Sequence, residues 1–352
     1  MVFAGPFHIL QDAVAKKAFP AASIAVTHRG HLVARKAFGR FTFDPTSSAV
    51  SEATVFDLAS LTKVVATTSM AMALYERGFL DLEIPVAEII PEFRGEDSRR
   101  REVTMHMLLA HSSGLPAYEK LYLRARTRSE LIAAACATPL VAEPGSVARY
   151  SDIGFIILAL ALEKLASQSL DEFCHVELAA LGMPDTVFCP PTSCRFSIPP
   201  TADDRTFRHR IIQGEVQDEN ASVMGGVAGH AGLFSTAQDL ARFAHVLLGG
   251  GQPLVRKETL ALFIRREISP AGTSRALGWD TPSSPSQSGK HFSSTSFGHL
   301  GYTGTSVWID LERQISIAFL TNRTWPDCSN QAIKRVRPAF YDAVMETLEA
   351  NP

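Results

Sequence analysis

Cysteine is scarce in this 352-residue chain, with five residues at positions 136, 174, 189, 194 and 328. An odd count without a Cys-x-x-Cys pair indicates neither a zinc site nor a disulfide framework, although Cys189 and Cys194 are spaced to bridge across a Pro-rich loop. The histidines contain no His-Glu-x-x-His, and the groupings His28 with His31 and His106 with His111 lack residues to complete a ligand set. No metal or other cofactor is implied. Excess charge of either sign is also missing, with 34 Lys and Arg against 36 Asp and Glu. That balance excludes the basic footprint of a nucleic-acid binder and points to a small-molecule partner. No stretch has 18 uncharged apolar residues, and the opening MVFAGPFHILQDAVAKKAF lacks a basic region followed by a continuous apolar one. The expectation is a soluble chain without a membrane segment, cytoplasmic as the sequence stands, and periplasmic or secreted if a signal peptide has been removed. Oligomeric state is not legible. Two common enzyme signatures are absent as well, Gly-x-Ser-x-Gly and Gly-x-Gly-x-x-Gly. The run GGVAGHAG at 225–232 has the wrong spacing for a dinucleotide loop and reads as a turn leading into the strand GLF.

Strand patterns lie at the two ends of the chain and helical ones between them. SIAVTH and HLVARKAFG flank Arg29 and Gly30 as a hairpin, whose tip carries His28 and His31. Helical periodicity follows near 61–77, 104–110, 129–137, 153–167, 171–180 and 237–248. Gly78 is placed to end the first of these, Thr104 to cap the second, and Ser235 to open a capping box before the last. SVWID and QISIAFLTN then form a second hairpin, and 339–349 a closing helix. The loops CPPTSCRFSIPPTADD and DTPSSPSQSGKHFSST read as surface excursions. The simplest architecture is one sheet assembled from both ends, with a helical insertion between them.

Chemistry enters in the stretch FDLASLTKVV. Ser60 and Lys63 are three apart, a spacing that puts two side chains on one helix face with about 5 to 6 Å between their Cβ atoms. Lys63 is the only one of nine lysines with serine three residues before it. The surrounding LASLTKVVATTSMAMAL is apolar almost all round, so the helix is expected to be buried. A buried amine loses hydration, which lowers its pKa and suits it as a base for the neighbouring hydroxyl.

Several segments in this order resemble the serine β-lactamase and penicillin-binding protein superfamily, most closely its class C, DD-peptidase and family VIII esterase branch. Ser-x-x-Lys is a motif of that superfamily. VTMHMLLAHSSGLP at 103–116, EPGSVARYSDIGFIILALALEKL at 143–165, AGLFSTAQDLARF at 231–243 and SFGHLGYTGTSVWI at 296–309 are similar to its further segments. Together these span about residues 20 to 325. The resemblance implies an α+β, β-lactamase/transpeptidase-like fold, an antiparallel sheet flanked by helices with an inserted all-helical domain. Residues 1–58 and 246–352 would form the sheet domain, 59–245 the insertion, with the active site between them. It further implies Ser60 as nucleophile, Lys63 as base and Tyr150 as proton shuttle with a phenol pKa lowered by the ammonium. His299 would open the third motif, Gly301 would let the strand approach the substrate, and the N–H groups of Ser60 and Tyr302 would form the oxyanion hole.

Two positions depart from the pattern. Asp152 stands where Tyr-x-Asn has an amide, either as a helix N-cap or as a cleft carboxylate that pairs with Lys63, raises its pKa and repels anions. Leu300 stands where the family usually has a Thr that helps bind a substrate carboxylate, leaving Thr303 or His299 to compensate. Both changes favour uncharged esters over β-lactams or D-amino peptides. His230-Ala231-Gly232 has the same form as His299-Leu300-Gly301, and His299 is preferred because it precedes the C-terminal hairpin. The expected activity is that of a serine hydrolase; the alternative is a non-catalytic ligand- or penicillin-binding protein that keeps the cleft without turnover.

Overall fold

The computed structural model describes residues 2–284 and 286–350, so Pro285 of the second Ser-rich loop lies outside the described residues. Its principal sheet has five antiparallel strands, β1 (Ala21–His28), β2 (His31–Gly39), β3 (Phe297–Leu300), β4 (Ser306–Asp310) and β5 (Ile315–Thr321), in the order β2-β1-β5-β4-β3. Arg29 and Gly30 both take positive φ, +50° and +82°, the two-residue turn whose twist matches a hairpin. β1 pairs directly with β5, Ala25 opposite Ala318, so the sheet is closed by the two ends of the chain.

Alternation along β1 sends its side chains into two cores. Ala21 and Ala25 join the cluster beneath the helical region, whereas Ala22, Ile24 and Val26 face the second cluster. The second face is covered by α1 (Ala4–Ala15) and by the closing helix. α1 was not among the expected elements, yet Phe3, Phe7, Leu10 and Ala13 lie at helical spacing and are buried there. The first face shares one core cluster with α2 (Ser69–Glu76), α3 (Met105–Leu109), α4 (Arg128–Ala137), α5 (Asp152–Ala166), α6 (Leu170–Ala180) and α7 (Ala237–Leu248), of which α7 lies directly against the strands.

Three boundaries differ from the sequence reading. The closing helix, α8, runs Ile333–Glu349 and contains Pro338, which reads as a start signal but here only gives up one intrahelical hydrogen bond. α7 is capped by Thr236, whose hydroxyl accepts from the Asp239 N–H at 3.1 Å, while Ser235 ends a short strand and bonds Thr186. The chain from Ala59 to Glu76 is not one regular helix. It opens as a 3-10 turn (Ala59–Leu61), widens into a π-helical stretch (Lys63–Thr68) and continues as α2. Such widened turns concentrate at functional sites. All five cysteines are free thiols, so Cys189 and Cys194 are not bridged. No single helix among the described residues is long and apolar enough to cross a membrane.

Candidate active site

Ser60 sits on a turn held in an uncommon conformation. The preceding Ala59 has φ +47°, a left-handed value that costs a residue with a Cβ roughly 1 to 2 kcal/mol. Two bonds hold it: the Ala59 N–H donates to Asp57 Oδ1 at 2.8 Å, and the Thr62 hydroxyl donates to the Ala59 carbonyl at 2.7 Å. The other Asp57 oxygen accepts from the Gln217 N–H at 2.7 Å. Burial lifts the Asp57 carboxyl to about 6 against the lowering effect of these N–H donors.

Lys63, fully buried, spends all three ammonium protons. Nζ lies 2.6 Å from Asp152 Oδ1, 3.1 Å from Ser60 Oγ and 3.1 Å from the His230 carbonyl. Burial alone would lower its pKa, as the sequence suggested, but the Asp152 carboxylate and the Tyr150 phenol outweigh it and the net shift is upward. Tyr150 also departs from expectation. Its hydroxyl donates to Ser60 Oγ at 2.8 Å, and burial, with Asp152 adding to it, pushes the phenol up to about 12 despite the ammonium 4.8 Å from its ring centroid. The resting pair is therefore an ammonium and a neutral phenol, both donating to one serine oxygen.

Asp152 begins α5 but does not cap it. That role belongs to Ser151, whose hydroxyl accepts from the Gly154 N–H at 2.9 Å, leaving the Asp152 carboxylate to Lys63. The segment 103–116 lies beneath. His111 Nδ1 accepts from the Ser151 N–H at 3.1 Å, and its ring packs on Tyr150 with centroids 4.8 Å apart.

The end of β3 closes the other wall. A Cβ on Gly301 would stand 2.5 Å from the Leu58 carbonyl and 1.9 Å from Thr305 Oγ1, so only glycine lets this strand end reach the Ser60 turn. Thr303 Oγ1 donates to the Asp57 carbonyl and Thr305 Oγ1 to the Leu58 carbonyl, each at 2.8 Å. These crossed bonds tie the Tyr302 turn to the Ser60 turn. They also bury Thr303, which removes it as a substitute for the threonine missing at Leu300.

His299 and His230 are both buried at the cleft. His299 Nδ1 donates to the Leu300 carbonyl at 2.9 Å, which leaves Nε2 a bare acceptor without a partner among the described residues. Burial, reinforced by Lys63 and Arg275, holds its pKa well below the usual value, so the ring is neutral. It is thus not a cation for a substrate carboxylate. His230 faces Asp218, Nε2 to Oδ1 2.9 Å, and touches Lys63 only through its main-chain oxygen.

Ser60, Tyr150, Asp152, His230, His299, Gly301 and Tyr302 line one cleft of about 690 Å³, and Lys63 lies beneath its floor. The second Ser-rich loop is more than an excursion, since Asp280 and Gln287 form part of the wall. Asp57, Thr305 and Arg275 were not singled out from the sequence, and His111 entered only as half of a rejected histidine pair. Asp57 stands within the quoted FDLASLTK, but its importance depends on partners at 217 and 303 that no local pattern reveals.

The sequence pattern described as Beta-lactamase matches residues 8–338. The chain is 30% identical over 357 aligned positions to a putative D-alanyl-D-alanine carboxypeptidase of Salmonella agona, covering 90% of this chain and 81% of that one. It is 31% identical over 345 positions to an N-acetylmuramyl-L-alanine amidase of Bacillus subtilis, covering 87% and 77%. Among solved structures, an octameric penicillin-binding protein homologue from Pyrococcus abyssi superposes with a TM-score of 0.76 at 22% identity, over 100% of this chain and 78% of the other.

Proposed function

The chain belongs to the β-lactamase family, and on that premise we propose that it is a serine hydrolase working through an acyl-enzyme at Ser60. The observation that carries this reading is a single serine oxygen gripped by Lys63 Nζ and the Tyr150 hydroxyl at 3.1 and 2.8 Å in a lined cleft. A binding protein has no need of that arrangement.

In this reading the resting proton inventory dictates the first step. Lys63 is an ammonium, so it must shed a proton before it can serve as base, and the acceptor is the Asp152 carboxylate 2.6 Å away. The neutral amine then takes the Ser60 proton as Oγ bonds to the substrate carbonyl carbon. The N–H groups of Ser60 and Tyr302 receive the developing oxyanion. Tyr150 gives its proton to the leaving group as the acyl bond breaks, and Lys63 re-protonates the phenolate. Lys63, now neutral, takes a proton from the water that attacks the acyl-enzyme, Tyr150 protonates Ser60 as it leaves and is re-protonated by Lys63, and Asp152 then returns its proton to Lys63.

The substrate class consistent with the relatives is an acylated D-amino acid or muropeptide amide, with small esters and β-lactams as further acyl donors. The anion repulsion expected of Asp152 is offset by Lys63. Initial rates with p-nitrophenyl butyrate, a chromogenic cephalosporin and N-acetyl-D-alanyl-D-alanine, for the wild type and Ser60→Ala, test the proposal. Turnover of any of them that vanishes in Ser60→Ala supports it, and activity that survives the substitution contradicts it.

A further inference from the structure

One wall of the cleft carries a guanidinium that the proposed chemistry does not use. Arg275 lines the cleft, its side chain is mostly buried, and its guanidinium carbon stands 5.5 Å from the centre of the Tyr150 ring. The main chain there is held without the side chain: the Arg275 N–H donates to Thr273 Oγ1 at 3.0 Å, and its carbonyl accepts from the Glu267 N–H at 2.8 Å. Asp280 Oδ2 lies 3.7 Å away, a loose ion pair, and Asp280 Oδ1 is engaged by the Ser274 hydroxyl at 2.6 Å and the Thr281 N–H at 3.1 Å. Among the described residues the guanidinium itself donates no hydrogen bond. Holding its own loop in place therefore does not account for it.

Tyr150 is the group that needs such a neighbour. In the proposed chemistry its hydroxyl gives a proton to the leaving group and stands as a phenolate until Lys63 returns one. Burial above all makes that anion unfavourable, pushing the phenol up to about 12. Lys63 stabilises it only while keeping the proton it is about to give up, whereas an arginine keeps its charge throughout. The two imidazoles beside the phenol, His111 and His299, have ring centroids 4.8 and 5.9 Å from it, and burial above all holds both neutral. Neither supplies a positive charge there. A cation against an aromatic ring is attracted by its π charge, and the attraction grows once the ring is itself an anion in a site with little water to screen it.

We propose that Arg275 is a positioning residue of this reaction that acts through Tyr150: its guanidinium, set against the ring, stabilises the phenolate formed as Tyr150 protonates the leaving group. The inference rests on the acyl-enzyme reading of Ser60, Lys63 and Tyr150. The proton passes from the Tyr150 hydroxyl to the departing oxygen or nitrogen as the bond to the acyl carbon breaks, and the electron pair of the O–H bond stays on the phenolate until Lys63 supplies a proton. Arg275 neither gives nor takes one. Its contribution therefore follows the leaving group's need for a proton: large for an alkyl ester, small for p-nitrophenolate, which departs as a stable anion.

The test compares kcat/KM, which reports acylation, for p-nitrophenyl butyrate and methyl butyrate in the wild type, Arg275→Gln and Arg275→Lys. Arg275→Gln is expected to lower it about tenfold or more for the methyl ester and less than about threefold for the nitrophenyl ester, with Arg275→Lys, which keeps the charge, restoring most of the loss. Equal losses on the two esters, no loss, or no rescue by lysine overturns the proposal. Turnover of the nitrophenyl ester alone, or of neither, also overturns it, because no leaving group is then protonated. Covalent labelling of Ser60 by an activated phosphonate, run on the same samples, reports separately on the acyl-enzyme reading: a protein that labels at Ser60 but fails the ester comparison loses only the role of Arg275.

Discussion

Lys63 Nζ and Asp152 Oδ1 are 2.6 Å apart, and this contact holds the lysine's pKa up although the amine is fully buried. Asp152→Asn removes the charge but keeps the shape. Burial then dominates, and the acid limb of kcat/KM against pH is expected to move to lower pH by about one unit or more. An unmoved limb would separate Asp152 from the base. The same pairing bears on stability in alkali: Lys63 is raised above its unfolded value, so its contribution is complete below about pH 10.4 and is lost as pH rises through the folded pKa.

Asp57 acts on stability in the same sense, at a lower pH. Its folded pKa of about 6 stands above the ordinary carboxyl value of 3.8, so between these the folded state binds more protons and stability falls as pH rises. The full effect is on the order of 3 kcal/mol, at about 1.4 kcal/mol per unit. Denaturant unfolding at pH 4.5 and 6.5 should show about 2 kcal/mol of this loss in the wild type and not in Asp57→Asn, taking the difference between the two proteins.

The crossed hydroxyls of Thr303 and Thr305 set the spacing of the proposed oxyanion hole. Thr303→Val leaves the Asp57 carbonyl buried without its donor, which costs about 1 to 3 kcal/mol of stability. We expect kcat to fall about tenfold or more with KM little changed, and Thr303→Ser to restore it. A loss confined to stability would make the threonine purely structural.

His299 and His230 can be told apart by truncation. His299→Ala should impair turnover more, since the ring faces the cleft with a free acceptor. His230→Ala should mainly destabilise, because the ring pairs with Asp218 and the Lys63 contact belongs to the main chain. The reverse order would exchange their places in the motif.

The strand hairpins were legible because their alternation and turn residues act locally, and Ser60 with Lys63 because three-residue spacing survives the change from regular helix to 3-10 and π turns. The sequence leaves the protonation of Lys63 open between a lowered amine and one raised by Asp152. Burial alone predicts a lowered lysine, and only the fold shows that the carboxylate 89 residues away reverses the sign. The residue at 152 was visible as a departure, but choosing between cap and ion pair required seeing Ser151 take the cap. Nor could Arg275 be distinguished from an ordinary surface arginine until the fold was seen to set it against the Tyr150 ring.

The most direct test of the central claim is intact mass and peptide mapping after exposure to an activated alkyl phosphonate, with Ser60→Ala and Lys63→Ala beside the wild type. The account predicts one adduct per wild-type chain, on the peptide containing Ser60, absent in Ser60→Ala and formed far more slowly in Lys63→Ala. An adduct of equal yield in folded Ser60→Ala, or none in the folded wild type, would contradict it.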